Sequence, residues 1–371
     1  MHNFLSSSEQ DLANFLKHKK FGRIFILCGK KSYVRSGAKK ILDECLKSKV
    51  IKHYYKSSPY PEISELKNII FSLRKFSPDL IVAVGGGSVL DYAKMANAIE
   101  STKNLAKQII NSNYQIKKKI TQLIAIPTTA GSGAEITPNA VIYINKIKYS
   151  LESETIKPDH FFLMPRLVMN ASKKIKSSAG FDAIAQAVES LISKKSNSQS
   201  IVFAKKSLGI SLKYYLDYLR KPNFENTSAM CLAANLSGKA ISISKTTAPH
   251  AVSYPFTSLY NIRHGHAVSL TFEKFLKFNF INYKKASCNF DLNLRYKSIF
   301  NIFGVKDIIE LENFFINMKK KAKLESNFKK LKINLNLNID KLIDGINLQR
   351  LQNNPINLNK KDIKTILLKF N

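Results

Sequence analysis

Asp182, His250 and His264 offer one carboxylate and two imidazoles, a donor set that suits Fe(II) or Zn(II). The two histidines stand fourteen residues apart, in a stretch shaped by Pro249, Pro255 and Gly265. Asp182 lies near the start of a predicted helix, with Gln186 one turn further on the same face. A lone histidine is usually structural, so spacing leaves a metal site as one of two readings. Cations and hydroxyls cluster beside these residues: Lys245, Thr246 and Thr247 precede His250, and Arg263 directly precedes His264. Such side chains are natural donors to phosphate or phosphonate oxygens. The alternative is that Lys245 caps a helix end and Arg263 pairs with an acid elsewhere.

A second kind of chemistry is written in the glycines. Leu80–Val84 reads as a buried strand and runs straight into Gly85-Gly86-Gly87-Ser88, after which a helix begins near Val89. Glycine lets the backbone approach an anion, and a helix start offers unpaired N–H groups. This is a phosphate cradle or merely a tight turn, and it is not the GxGxxG form of the usual dinucleotide motif. Pro127-Thr-Thr-Ala-Gly-Ser-Gly-Ala-Glu135 follows another strand, Gln122–Ile126. There Thr128 and Thr129 can bond a nucleotide.

These sites need elements to hold them. Up to about Pro165, strand-like runs (Arg23–Cys28, Asp79–Val84, Gln122–Ile126) alternate with helical spacing (Ser36–Leu46, Glu62–Phe76, Val89–Ser101). That alternation predicts a parallel α/β sheet. Beyond it, Phe181–Ser193, Ser198–Leu219, Thr227–Ser242 and much of 266–371 fit helices. The expected organisation is an α/β dinucleotide-binding domain over 1–165 and an all-helical metal-binding and substrate domain over 166–371.

Taken in order, GGGSVLDYAK, PTTAGSGAE, KPDH…MPRL, GFDAIAQAVES and PHAVSYPFTSLYNIRHGHAV resemble the iron-containing alcohol dehydrogenase family from about Arg23 to Leu270. The resemblance implies its fold: a Rossmann-like N-terminal domain with a parallel sheet and an all-α C-terminal domain, shared with dehydroquinate synthase. It implies hydride transfer between NAD(P)H and a carbonyl carbon, assisted by a divalent metal. Metal ligands are implied at Asp182, Gln186, His250 and His264. Gln186 departs from the imidazole common in relatives, and its neutral amide could bind directly, hold a water or not bind. Tyr254 is a second departure, where many relatives carry histidine. It could orient substrate, join a proton relay or simply pack. Cofactor contacts are implied at Gly86, Gly87, Ser88, Asp91, Thr128, Thr129, Val141 and Lys148. The first strand ends in Cys28-Gly-Lys30-Lys31, with no carboxylate to meet a ribose 2′-hydroxyl, which favours NADPH. The Lys245–Pro255 run with glutamine at 186 is similar to the phosphonoacetaldehyde reductase branch, so a small anionic aldehyde is the expected substrate. Lys245, Tyr254 and Arg263 are the expected groups around it. A generic alcohol or lactaldehyde dehydrogenase, and a dehydroquinate synthase-like lyase, are the alternatives.

The formal net charge of +33 asks whether nucleic acid is a partner. Only 8 of the 59 basic residues are arginine, and Asn and Ile are abundant too, a bias of A/T-rich codons. The lysines are spread along the chain, so the expectation is no nucleic acid, with a positive field that can attract an anion. No apolar run reaches bilayer length, and Met1–Lys20 lacks the apolar centre of a signal peptide, so a cytoplasmic, membrane-free chain is expected. The 4 cysteines show no metal or redox spacing. A homo-oligomer is the default among relatives.

Overall fold

The structure is a computed structural model and describes residues 3–4, 8–18 and 21–368. Part of the Met1–Lys20 stretch lies outside the described residues. The chain forms two compact units: Met1–Asn145 with Tyr149–Ser172 and Pro222–Asn235, and Lys146–Lys148 with Lys173–Lys221 and Leu236–Asn371.

The first unit is built on a parallel sheet. Its strands are β1 (Asn3–Phe4), β2 (Arg23–Gly29), β3 (Val50–Lys56), β4 (Leu80–Gly85), β5 (Gln122–Pro127) and, beyond a hairpin, β8 (His160–Phe162). Their order is β1-β8-β5-β4-β2-β3, all parallel, so the chain winds outward from β2 to β3 and then back across β4 and β5. The central strands are continuous apolar runs because helices cover both faces. Ile24, Ile26, Val82, Val84, Ile124, Ile126 and Phe162 form one core with Leu12 and Leu16 of the N-terminal helix. Arg23–Cys28, Asp79–Val84 and Gln122–Ile126 thus take the expected strands.

Five strands went unread in the sequence, the two-residue β1 among them. β3 (Val-Ile-Lys-His-Tyr-Tyr-Lys) is an edge strand, exposed enough to carry polar residues among its apolar ones. β6 (Asn139–Ile144) and β7 (Ile147–Glu152) form a separate hairpin. Asn145 and Lys146 turn it with φ of 51° and 66°, the left-handed pair of a tight hairpin. β8 has 3 residues, too short for a periodic signal.

The second unit is helical. Five helices position the residues of interest: α1 (Gly87–Ala98) in the first unit, then α2 (Lys173–Ile192), α3 (Phe224–Ser244, which begins in the first unit), α4 (Ala248–Tyr260) and α5 (His264–Ser269). α2 is buried almost all round and carries polar residues on that buried surface, which soluble helices tolerate only when those groups find partners. A second core gathers Val252, Phe256, Phe275, Ile339, Leu342 and Ile363 around α4. No helix among the described residues is long and apolar enough to cross a membrane.

Candidate metal centre and nucleotide cradle

The register Gly85↔Pro127 sets the glycine loop after β4 beside the threonine loop after β5, at the carboxyl ends of neighbouring parallel strands. Thr128 N–H donates to Gly85 O at 3.0 Å. A Cβ on Gly86 would stand 3.3 Å from Thr129 Oγ1, and one on Gly87 2.7 Å from Ser132 Oγ. The second loop therefore walls the first, and only glycine leaves room there. Gly86, Gly87 and Ser88 are partly open to solvent while the strand before them and the helix after them are buried. Gly86 caps α1 without a side chain, so the first N–H groups of a twelve-residue helix face that opening. This cradle fits a phosphate.

Asp91 and Val141 are brought together: Asp91 Oδ2 accepts from Val141 N–H at 3.2 Å. Asp91 Oδ1 lies 3.6 Å from Lys94 Nζ. Lys94, fully buried, also donates to Thr137 Oγ1 and Asn139 O at 2.9 Å each. These bonds fasten α1 to the hairpin. Lys148, by contrast, belongs to the second unit, where its ammonium lies 3.7 Å from the centroid of the Tyr254 ring.

In the second unit Asp182, His250 and His264 converge, with one ligand atom from each lying within 4.8 Å of the others. Asp182 comes from α2. His250 sits in the first turn of α4, and His264 opens α5 after Asn261, at φ 54°, ends α4. Asp182 Oδ1 faces both imidazoles, 3.3 Å from His250 Nε2 and 3.9 Å from His264 Nε2. α5 reaches this position because Gly265 lies against the backbone of α2. Two nitrogens and an oxygen, two of the three side chains buried and all aimed at one point, fit a borderline divalent cation. His264 keeps 31% of its side chain exposed, so the group stays open on that side.

Glu189, unread in the sequence, stands directly behind His250. It is completely buried, its Oε1 bonded to His250 Nδ1. Its Oε2 accepts from Thr247 N–H at 2.6 Å and Thr247 Oγ1 at 2.8 Å. A carboxylate on one imidazole nitrogen leaves the other free to ligate. Its position seven residues after Asp182, on the same helix face, is the signal that could have found it. Ser253 Oγ stands 3.5 Å from His264 Nδ1, a similar backing for the second imidazole.

Burial alone would lower the His250 pKa, but Glu189 and Asp182 outweigh it and raise it to about 9. Burial, then Lys148, pushes His264 down to about 3. Burial works against an ionised Asp182, yet His264, His250 and Lys148 hold its carboxyl below the usual range. With no metal bound, the His250 imidazolium bridges the two carboxylates. Its stabilisation is complete below pH 6.5 and is lost as pH rises through about 9. The neutral His264 loses stability in the opposite direction, as pH falls from 6.5 through about 3. The chelator-treated protein should therefore melt highest near pH 6.5, about the ordinary histidine value. A divalent ion must displace the His250 proton, so its affinity should rise about tenfold per pH unit up to that pKa. Melting curves and metal titrations across pH 5–9 check both; a pH-independent affinity would remove His250 from the ligand set.

Tyr254, one turn after His250, stacks on the His264 ring at 5.7 Å and 28°. Burial pushes its phenol up to about 12, so it stays protonated. Gln186 also lies in the centre, donating to Asp182 Oδ2 at 3.3 Å. Lys245, at φ 60°, ends α3, and its ammonium bonds Ser242 O at 3.2 Å. Arg263 is exposed at the start of α5. Lys30 and Lys31 are exposed just beyond β2.

The chain is similar to known proteins over most of its length. The family model "Iron-containing alcohol dehydrogenase" matches residues 4–165, and that for the C-terminal part of the Fe-containing alcohol dehydrogenase family matches 176–370. A phosphonoacetaldehyde reductase of Streptomyces viridochromogenes is 30% identical over 217 residues, 56% of this chain and 55% of the relative. An alcohol dehydrogenase of Thermococcus barophilus is 29% identical over 228 residues, 56% of this chain and 60% of the relative. The matched stretch thus spans little more than half the length of these curated relatives. Among solved structures, the sulfoacetaldehyde reductase from Bifidobacterium kashiwanohense in complex with NAD+ superposes with a TM-score of 0.85 at 25% identity, covering 100% of this chain and 96% of the other. The chain belongs to the iron-containing alcohol dehydrogenase family.

Proposed function

We propose that this protein is a metal-assisted, NAD(P)H-dependent reductase that turns a small anionic aldehyde into its alcohol, with phosphonoacetaldehyde to 2-hydroxyethylphosphonate as the leading case. The observation that carries the reading is the convergence of Asp182, His250 and His264, backed by Glu189, in a chain that also builds a glycine phosphate cradle. When bound, a divalent ion supplies Lewis-acid polarisation of the carbonyl oxygen, and nicotinamide supplies the hydride. Asp182, His250 and His264 would hold the ion. Gly86, Gly87 and Ser88 would take the pyrophosphate, with Thr128 and Thr129 bonding the nucleotide and Asp91 keeping α1 and Val141 in place. Lys30 and Lys31 suit a 2′-phosphate, which favours NADPH over NADH. Tyr254 carries its phenolic proton at neutral pH and can donate a hydrogen bond to a substrate oxygen. Lys148 above Tyr254 and Arg263 beside His264 place positive charge where an anionic tail would be received. The two relatives whose names specify a phosphonate and a sulfonate aldehyde support this substrate class.

A second reading, an alcohol dehydrogenase for uncharged substrates, is favoured by the Lys245 ammonium bonding its own helix end. Loss of NADPH absorbance separates the two, with phosphonoacetaldehyde, sulfoacetaldehyde and butyraldehyde compared in the presence of Fe(II) or Zn(II). Metal-dependent turnover at least 100-fold faster per molar substrate for the anions is expected. Equal turnover of butyraldehyde would sink the anionic reading, and no cofactor oxidation would sink the reductase. A Lys245→Gly variant should keep its activity within about threefold, since glycine relieves a left-handed φ.

A further inference from the structure

Each of the three converging side chains has one polar partner behind it. Glu189 backs His250 and Ser253 backs His264. Gln186 is the partner behind Asp182. It is 3% exposed, and its Nε2 donates to Asp182 Oδ2 at 3.3 Å, while the opposite oxygen, Oδ1, faces the imidazoles. Its own Oε1 accepts from Ser237 Oγ at 3.0 Å. An amide nitrogen has no lone pair to give a cation. In the metal-free chain, reversing the amide would set two acceptor oxygens against each other, with no proton between Gln186 and Asp182.

Resting on the metal-centre reading above, we infer that Gln186 is not a metal ligand but a positioning residue: the chain Ser237–Gln186–Asp182 aims one carboxylate oxygen at the ion, which takes three protein ligands. The division of labour within Asp182 follows. Oδ1 binds and Oδ2 is held, so the carboxylate is monodentate and fixed in rotation. A centre with three protein ligands keeps a position open for water or substrate.

Metal binding tests this without reference to turnover. Co(II) is titrated into the metal-free full chain, with occupancy and visible absorption bands recorded and affinity measured against a competing chelator. Gln186→Leu removes every possible ligand atom at that position. The expected result is one Co(II) per chain with unmoved bands and an affinity about 10–100-fold weaker, the usual cost of losing a partner behind a ligand. Ser237→Ala should weaken Co(II) in the same direction, by less, with the same bands. Shifted bands, or loss of Co(II) from a Leu variant that circular dichroism shows to be folded, would overturn the inference. If that variant does not fold, a crystal structure of the unmutated Zn(II)-loaded chain decides. The ion is expected farther than about 3 Å from Gln186 Oε1, and a distance near the ligand range of about 2.0–2.2 Å would reverse the assignment. Failure of the unmutated chain to take up Co(II), Zn(II) or Fe(II) would instead remove the metal-centre reading itself.

Discussion

Gly265→Ala should cost this protein its metal and about 3 kcal/mol or more of stability, the upper end of what overpacking does. The glycine sits between His264 and His266 where α5 meets α2. A Cβ there would stand 2.0 Å from the Ser178 carbonyl oxygen and 2.8 Å from Asp182 Cβ. The first obstacle is backbone inside a buried helix, so no rotamer change can clear it. His266 N–H also donates to Ser178 Oγ at 3.0 Å, tying the same turn down on both sides. Making room means moving α5 away from α2, which carries His264 away from Asp182. The melting temperature should fall by roughly 6–12 °C, and the variant should no longer be stabilised by added Zn(II) or Fe(II). Gly209→Ala is the control. Nothing lies within 4 Å of a Cβ at that helical position, so alanine should stabilise by about 0.5–1 kcal/mol. A Gly265→Ala chain with native melting and native metal response would show that the α5–α2 contact does not set the centre.

Asp182→Asn should lower divalent-metal affinity by at least about 100-fold, beyond the 10–100-fold that residues behind a ligand command. The substitution keeps the shape and removes the charge. Among the described residues Asp182 is the only carboxylate that faces both imidazoles, at 3.3 and 3.9 Å, so neutralising it leaves a divalent cation without its anion. The proposed aldehyde reduction should fall about 1000-fold, since roughly 4 kcal/mol of carbonyl polarisation is in play. The metal-free chain suffers too. His250 keeps Glu189 but loses its second carboxylate, so its imidazolium is held less firmly, and the stability it contributes is smaller and gone at a lower pH than in the unmutated chain. Calorimetric metal titration, kcat measurement and melting at pH 6.5 and 9 check the three consequences. Retention of metal affinity within threefold would exclude Asp182 as a ligand.

The strands β2, β4 and β5, the glycine loop after β4 and the helix that follows it were legible because each is local. A buried parallel strand reads as an unbroken apolar run, and a glycine cluster between strand and helix has few uses. The ordered motifs named the family for the same reason. Asp182, His250 and His264 were readable as residue types. Their meeting was implied only by the family resemblance and not by spacing, since it depends on α2, α4 and α5 packing at Gly265, a contact between positions more than eighty residues apart. Glu189 shows the limit more sharply. It is one of 26 acids in the sequence, and only burial against His250 and Thr247 makes it a partner of the centre. Lys148 was assigned to the cofactor by the family resemblance, and only packing shows its ammonium over the Tyr254 ring. Lys245 beside His250 read as a substrate handle or a helix cap, and the structure gives it a left-handed backbone at the end of α3 with its ammonium bonded to Ser242 O. Sequence by itself determined which chemistry the chain carries, because residue types and short spacings are local properties. Tertiary structure alone decided which cations and carboxylates serve it, because side-chain direction and desolvation arise only when distant segments pack.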